Sequence, residues 1–599
     1  MTMIGCLLMA QTPAGSISGS VSDSTGAQVA KAAVRIINTK THEIHRATTG
    51  PSGMYVFPTV DAGEYVLEAE AEGFKLERRA GIVLDVNQNA RVDFVLQVGS
   101  VQETVEVKGD APLVDTMDVQ LGETVDRDRI ENLPLNGRNV YDLIGLMPGA
   151  VDVTTAVSGT NDSNNMSVNG NRIRSNNFYL DGGQNTSQWR NGGNMSPNPD
   201  AVAEFHLLTS NFDAEYGRQP GSVLNLVTRS GTNAYHGTLF EFLRNDTVNA
   251  QNFFHTTPIP LHWNQFGGTF GGPVRRNRTF FFASYQGFRE ATSQFKNGIL
   301  VPTIAQRAGD FSASAAARRP KDPATNAPFP NGMIPASRLD PVALNILKMI
   351  PLPNNPAGTS YSDAEPAPVI EDQGMLRVDH QFTERHRLSG TLFLDRSNTF
   401  LPFANNANSQ IPNWASTNAV YRQNNVVIND DLVMRPNLIS QTRFSYVLNY
   451  YASTDAIHTS WADWGSKVVL GATPPRPPLI VLTNSWTAGP GGGGDDIMPQ
   501  STWAASERVN WVHGGHNIRA GVSYQWNHFL ETGNWLGAGQ VRFTGSFTGD
   551  SQADFDLGMA NTFRQNNGLN RNFQESSESA FFQDDWKVLP RLTLDLGVR

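Results

Sequence analysis

Residues 375–394 read Met375-Leu376-Arg377-Val378-Asp379-His380-Gln381-Phe382-Thr383-Glu384-Arg385-His386-Arg387-Leu388-Ser389-Gly390-Thr391-Leu392-Phe393-Leu394. Leu376, Val378 and Phe382 alternate with Arg377, Asp379 and Gln381. After the polar break Glu384-Arg385-His386, Leu388, Leu392 and Leu394 alternate with Arg387, Ser389 and Thr391. A period of two on both arms predicts an antiparallel hairpin with one apolar and one polar face. Ile518, Ala520, Val522 and Tyr524 alternate in the same way with Asn517, Arg519 and Ser523. Two architectures ask for such strands: a soluble sandwich with its apolar face inside, and a water-lumened barrel with its apolar face in lipid. Periodicity alone does not separate them.

Composition leans toward the barrel. The chain has 599 residues, and charged residues make up 17% of it, below the roughly 25% of soluble proteins. Hydrophobic residues reach only 39%, so core has not replaced the missing charge; Gly, at 54 residues, and uncharged polar residues have. With Lys plus Arg at 46 and Asp plus Glu at 56, the net charge is −10, which excludes a mainly basic, nucleic-acid-gripping protein. The single cysteine, Cys6, excludes a disulfide framework and Cys-based metal sites. No run is apolar for 18 residues, so no helix is expected to cross a bilayer, but barrel strands need only about 9–11 alternating residues each. Aromatic residues crowd the expected strand ends at Phe280–Phe282, Tyr446–Tyr451 and Phe581–Phe582, as interfacial girdles would. Polar segments rich in Pro, Ala, Asn and Gly, at Phe311–Asp372 and Trp461–Gln500, read as long loops on one rim.

Ahead of the hairpins the chain changes character three times. Met1–Ala10 is short and apolar and reads, with Gln11, as the remnant of a signal peptide; Cys6 within it is incidental. Residues 12–98 carry short β-prone runs at Ile17–Val21, Ala33–Ile37, Gly53–Phe57, Tyr65–Ala69, Ile82–Val86 and Ala90–Leu96, punctuated by turns: a small β-sandwich. Residues 99–110 are an extended linker, Gly-Ser-Val-Gln-Glu-Thr-Val-Glu-Val-Lys-Gly in their first eleven positions, that reads as a final strand, a plain linker or a strand offered to a partner. Residues 111–229 mix one helix, in which Leu143, Leu146 and Met147 are helically spaced and Pro148-Gly149 ends the run, with strands at Met166–Val168, Asn177–Leu180, Phe205–Thr209 and Ser222–Thr228. Eleven asparagines between 151 and 200 mark ordered turns.

Several of these stretches resemble known families. Gly53-Met54-Tyr55-Val56-Phe57-Pro58, Ala62-Gly63-Glu64-Tyr65-Val66-Leu67 and Glu72-Gly73-Phe74 resemble carboxypeptidase regulatory-like domains, non-catalytic appendages in spite of the name. Glu103–Val107 resembles the TonB box of outer-membrane receptors. Leu133-Pro134-Leu135-Asn136-Gly137-Arg138-Asn139, the helix ending in Pro148-Gly149, Ser167–Gly182 and Glu204–Asn233 follow in the order of a TonB-dependent receptor plug, specifically of the Oar-like branch with a regulatory-like domain in front. Asn264–Glu290, Arg377–Leu388 and Phe581–Arg599 resemble the barrels of the same receptors.

The fold expected is therefore mainly β: a small β-sandwich, a mixed α/β plug, and residues 230–599 as part of a large antiparallel transmembrane β-barrel. The resemblance implies about 22 strands in a complete member; about a dozen are countable here, so the chain is expected to be incomplete at its C-terminus. It implies a bacterial outer-membrane transporter with the regulatory-like domain and box in the periplasm, importing a small-molecule, glycan or peptide ligand with energy from a TonB-like protein. The alternatives are an Oar-like envelope protein for adhesion or export support, a soluble secreted β-protein, and an enzyme. Coupling falls to Gln102, Glu103, Thr104, Val105, Glu106 and Val107. The plug motif comprises Leu133–Asn139 together with Asn169, Gly170, Arg172, Arg174, Asp181 and Gly182, whose turn chemistry points to backbone shaping. No catalytic residues, cofactor or metal are expected. His42 and His45 read as a solvated strand end, and His513-Gly514-Gly515-His516 as a turn with no third ligand. Asp430-Asp431 and Asp584-Asp585 would each put one carboxylate in the lumen and one near a rim. Gly491–Gly494 lacks the Lys-Ser/Thr of a phosphate loop.

Overall fold

The computed structural model describes residues 15–599 apart from 61, 85–87, 100–103, 109–120, 136, 153–165, 190, 251–259, 404–408, 413, 415, 436, 469, 471–474, 491–495, 534–535 and 590–591. The 1–11 segment with Cys6, half of the linker including Gln102 and Glu103, and Asn136 thus lie outside the described residues.

The N-terminal unit is a sandwich. Strand Gly15–Asp23 pairs antiparallel with Met54–Val60 and parallel with Asn89–Arg91 and Phe94–Leu96. The facing sheet runs in the order Ile44–Thr48, Ala33–Asn38, Gly63–Glu70, Leu76–Leu84, Thr104–Lys108. Ile17, Val21, Val34, Ile36, Tyr55, Leu67 and Phe94 fill the space between them. Ala90–Leu96, expected as one strand, is two. The Asp93 carboxylate accepts from the Ser20 N–H at 2.7 Å and its hydroxyl at 2.8 Å, so a side chain interrupts the ladder where backbone would have bonded.

The second unit is a five-stranded sheet in the order Leu121–Val125, Val202–Ser210, Ser222–Thr228, Asn176–Leu180, Gly183–Gln184. The expected helix after Asn139 is a 3-10 helix, Val140–Leu146, capped by the Asn139 side chain accepting from the Tyr141 N–H at 3.2 Å. Val140, Tyr141, Leu143 and Ile144 are buried, whereas Leu146 points outward, because the tighter three-residue turn re-aims the face.

The third unit wraps the second. Among the described residues, twelve antiparallel strands form one sheet: His236–Asn245, Leu261–Arg275, Thr279–Leu300, Val369–Thr383, His386–Leu401, Thr417–Arg435, Leu438–Asp455, Asp496–His513, His516–Gly533, Leu569–Leu589 and Leu592–Val598, with Ser360–Pro366 added beside the far part of Thr279–Leu300. Successive strands alternate between links of two or three residues at one end and connections of 15 residues or more at the other. The opening hairpin pairs Leu376 with Leu392 and Arg377 with Thr391.

Its facing separates the two architectures. Leu376 is 44% exposed and Val378 39%, while Arg377 is 9% and Asp379 3% exposed. Val522, Tyr524, Phe582 and Leu596 are likewise exposed, and Thr391, Arg508, Gln583 and Asp585 buried. A soluble sandwich would invert this pattern. Apolar side chains outside and charges inside are stable only where the outer solvent is hydrocarbon and the lumen is polar. Trp511 and Trp586, each beside a histidine of the 513–516 turn, place aromatics near the short-link rim. The expected girdle at Phe280–Phe282 is a correction: Phe280 and Phe282 turn inward, Phe282 joining the plug core beneath the Arg229 guanidinium, and Phe281 alone points outward toward Phe270.

Replacing Leu392, mid-strand on the outer face, by Arg is expected to cost about 2–4 kcal/mol of folding into lipid bilayers. A denaturant titration in liposomes reads it; an unchanged midpoint would mean that the face does not meet lipid.

Candidate functional site

The inner unit is held by charge. The Asp181 carboxylate, 2% exposed, accepts from the Thr228 N–H at 2.8 Å, the Thr228 hydroxyl at 2.7 Å and, across the interface, the Thr391 hydroxyl at 2.6 Å. Arg377 on the wall pairs with Asp181 at 3.3 Å and Asp379 at 3.0 Å, and Arg387 completes the chain at 2.9 Å from Asp379. Next to it, Arg443 donates to the Gly182 carbonyl at 2.6 Å. Gly182 has φ +71°, and a Cβ there would strike that guanidinium. Farther round, Arg508 pairs with Glu215 at 2.9 Å, and Arg519 bridges Asp213 and Asp585. Each pair takes one partner from the inner unit and one from the wall, apart from the Asp379 and Asp585 bonds within the wall itself.

Neutral contacts continue toward the long-connection end. Asn185 accepts from Gln423 and Asn425, both at 3.1 Å, Asn449 donates to Asn194 at 2.7 Å, and Gln500 accepts from the Trp189 N–H at 3.0 Å. Beside this apex lies a cavity of about 400 Å³. Gly137, Arg138, Asn139, Met195 and Ser196 form its inner side, and Trp263, Phe288, Glu290, Glu371, Gln373 and Ser397 are among its wall residues. Arg138 has φ +57°; its guanidinium pairs with Asp200, sits 4.4 Å from the ring centroids of both Phe240 and Phe242, and donates to Gln286 at 3.2 Å.

The long connections fold over this end. The connections 301–368 and 456–495, which overlap the polar loops expected at Phe311–Asp372 and Trp461–Gln500, contain helix Pro341–Leu347 and strand Leu479–Leu482, and the connection 534–568 contains helix Ser551–Asp556. Ile346, Ile350, Trp414, Trp464, Trp486, Phe543 and Phe555 pack into a core of their own. Sparse apolar residues scattered through several loops give no periodicity, which is why the sequence hides that core. Within it, burial pushes the Asp556 carboxyl up to about 8, against the opposing hydrogen bond from Gln552.

The sandwich sits at the opposite, short-link end. Arg46 pairs with Glu384 in the 384–385 link, Gln381 donates to Glu43 at 3.2 Å, and Asn233 donates to the Thr41 carbonyl at 2.7 Å.

With geometry in hand, kinship can be stated. Residues 227–599, more than half of the chain, match the family described as "Outer membrane beta barrel domain", and residues 16–97 match the "Carboxypeptidase regulatory-like domain". The chain belongs to the outer membrane beta barrel domain family. This β-barrel protein is therefore assigned to the outer membrane. It is similar to the TonB-dependent transporter Oar of Myxococcus xanthus, 30% identical over 254 residues that cover 40% of this chain and 23% of that protein. Among solved structures it is similar to the outer membrane transporter YddB from Escherichia coli, with 11% identity, TM-score 0.48 and coverage of 80% of this chain and 55% of that one. The siderophore receptor PirA from Acinetobacter baumannii gives 13% identity, TM-score 0.46 and coverage of 81% and 57%. The β-barrel protein thus spans about a quarter of the curated relative and just over half of these structures.

The expected site residues fall into separate places in the barrel protein. Gly137, Arg138 and Asn139 line the cavity, while Leu133 and Leu135 pack against the inner core and Pro134 links them. Asn169, at φ +50°, and Gly170, at φ +73°, form a tight turn, its Asn169 amide donating to the Thr209 carbonyl at 3.0 Å. Arg172 and Arg174 are exposed. Asp181 and Gly182 contact the wall, not the cavity. Thr104–Lys108, covering Thr104, Val105, Glu106 and Val107 of the coupling segment, is the edge strand of the sandwich, paired parallel with Leu76–Ala80. Of the paired carboxylates, Asp585 faces the lumen and Asp584 meets His516 at 2.8 Å; Asp431 accepts from Gln441 at 2.9 Å and Asp430 meets His386 at 2.7 Å. The wall arginines Arg443 and Arg508 and the apex loop around Trp189–Ser196 went unnoticed in the sequence; the signal for the arginines is a charge at a lumen-phase position of an alternating strand.

Arg377→Ala leaves the buried Asp181 without its cation and Asp379 with Arg387 alone, and is expected to loosen the inner unit by about 3–5 kcal/mol. Unfolding of that unit in mild guanidinium, followed by protease sensitivity while the barrel stays heat-modifiable, measures this. Leu376→Ala, one residue along on the outer face, is expected to leave the inner unit unchanged.

Proposed function

We propose that the protein is a TonB-dependent transporter: it binds a ligand at the long-connection end and imports it when a TonB-like protein, reaching across the periplasm, pulls on the segment at the short-link end. The observation that carries this reading is a lumen filled by a unit that is seated mainly by polar pairs, with Phe282, Met375 and Phe393 of the wall as its apolar contacts. Polar pairs are strong while dry, yet water replaces them when the unit shifts, whereas an apolar seat would cost its full area to separate. The relative named TonB-dependent transporter supports the same reading.

The outer membrane has no nucleotide supply, so work must arrive mechanically. A partner strand needs an extended backbone with open hydrogen-bonding groups. Thr104–Lys108 ends the order of its sheet, with Leu76–Leu84 on one side and no strand on the other among the described residues. A TonB-like domain would add to that open edge or take the strand from its neighbour. The end of the barrel that carries the sandwich is then periplasmic, the folded loops face outward, and the cavity at Gly137–Asn139 is the ligand site. The barrel's apolar outer face meets outer-membrane lipid. No role in this reading calls for a catalytic residue or a cofactor.

Deleting Gln102–Val107 is expected to abolish capture of a purified TonB C-terminal domain and growth on the transported nutrient, with the protein still heat-modifiable in outer-membrane fractions. Unchanged uptake in the deletion would sink the coupling; surface adhesion that survives lost uptake would not.

A further inference from the structure

The cavity beneath the apex holds several buried acceptors without a hydrogen-bond partner among the described residues. Asp395 on strand His386–Leu401 is fully buried and lines a smaller pocket of about 60 Å³, which shares Met195 with the main cavity. Neither of its carboxylate oxygens has a well-placed donor among the described residues; its polar neighbours are the Gln373 side chain and the Glu371 carboxyl. The Gln373 and Gln423 side-chain carbonyls and the Ser397 hydroxyl are also buried and without a partner there. Gln373 and Ser397 line the main cavity and Gln423 the smaller one.

Among the described residues the nearby amide and guanidinium donors are mostly engaged, and Arg422, which also lines the smaller pocket, lies 5.8 Å from the Tyr450 ring centroid. The Gln373 amide donates to Glu371 at 2.8 Å, and the Gln423 amide to Asn185 and to the Met195 carbonyl. Arg138 is committed to Asp200 and two phenylalanine rings. Arg396, next to Asp395, lies on the opposite face of its strand and donates to the Asp395 and Gln423 carbonyls and to Asn424. Register puts Glu371 opposite Ser397 and Gln373 opposite Asp395, so Glu371 and Asp395 are diagonal neighbours on one lumen face. Glu290 adds a third carboxylate to the lining. Glu371 and Asp395 approach within hydrogen-bonding reach of each other; two carboxyls so placed either share a proton or hold a cation, and a group that brings positive charge and N–H donors together answers both.

We propose that Asp395 and Glu371 form a cation-recognition subsite, taking an ammonium or guanidinium group on the transported molecule. This rests on the cavity being the ligand site of a transporter. Such a group would displace the contact between the two carboxyls, and the buried Gln373, Gln423 and Ser397 oxygens would accept its remaining N–H bonds. A ligand carrying only negative charge is repelled from the same place.

The test uses the full chain in liposomes, with the lone Cys6 replaced (Cys6→Ser) and a thiol introduced by Ser397→Cys. Rates of modification by a cationic methanethiosulfonate (aminoethyl) and an anionic one (sulfonatoethyl) are each divided by the rate on a free thiol. Expected is a preference for the cationic reagent of roughly tenfold or more, the scale on which a charged cleft concentrates counter-ions. That preference is expected to fall severalfold in Asp395→Asn and in Glu371→Gln, each checked for heat-modifiable migration. Millimolar agmatine is expected to slow the modification, and calcium chloride at equal ionic strength is not. Equal rates for the two reagents, a preference untouched by both folded variants, or protection by neither agmatine nor calcium would overturn the subsite. Protection by calcium alone would reassign it to a metal ion and overturn the organic-cation assignment. No modification by either reagent would mean a cavity closed to the outside, which removes the ligand site itself and not only its charge preference.

Discussion

Charges that face inward from the barrel wall must be answered from inside the lumen, and most of the structure follows from that constraint. An outer face in hydrocarbon sends the polar half of every strand inward. Arg377, Arg443, Arg508 and Arg519 therefore end up buried, and an unpaired buried charge is costly. The inner unit brings Asp181, the Gly182 carbonyl, Glu215 and Asp213 to them. Truncating one partner is expensive, yet the seated pair itself is worth little net once both ions are counted from water. The unit is thus fixed in register without being held irreversibly.

The two ends of the barrel divide the labour. At one end, short links leave room for the sandwich, which docks through Arg46–Glu384, Glu43 and Asn233 and carries Thr104–Lys108 at its sheet edge. At the other, loops with a tryptophan-rich core cover the cavity where Gly137–Asn139 meets the wall. The Asp181 network stands between them, on the same strand-and-turn unit that carries the apex loop after Gly183–Gln184.

Much of this was legible in the sequence. The alternation around Arg377 and Asp379 marked both faces of the hairpin, and Asn169-Gly170 and Asp181-Gly182 announced turns at positive φ. What periodicity lacked was the sign of the environment, since hydrocarbon and protein core are equally apolar to a pattern; exposure of Leu376 and burial of Arg377 supplied it. Aromatic runs misled at Phe280 and Phe282 because a girdle and a plug contact look alike in one dimension. The loop core was invisible because its members come from connections more than a hundred residues apart, and no local rule links Ile346 to Phe555. The inner side of the cavity, Gly137–Asn139, lies in the stretch read as plug motif, but its wall side escaped for the same reason as the loop core: Glu371 and Asp395 come together only through register.

The central claim, that the plug is the mechanically weak part and is reached through Thr104–Lys108, is tested most directly by pulling. A TonB C-terminal domain on a force probe would be brought to the full chain in a supported bilayer and retracted. Expected is a stepwise extension as the strands around Asp181 leave the lumen at a force that spares the barrel, with a lower force in Arg377→Ala. Barrel strands extracted first, or a sandwich that unfolds completely while the plug stays seated, would contradict it.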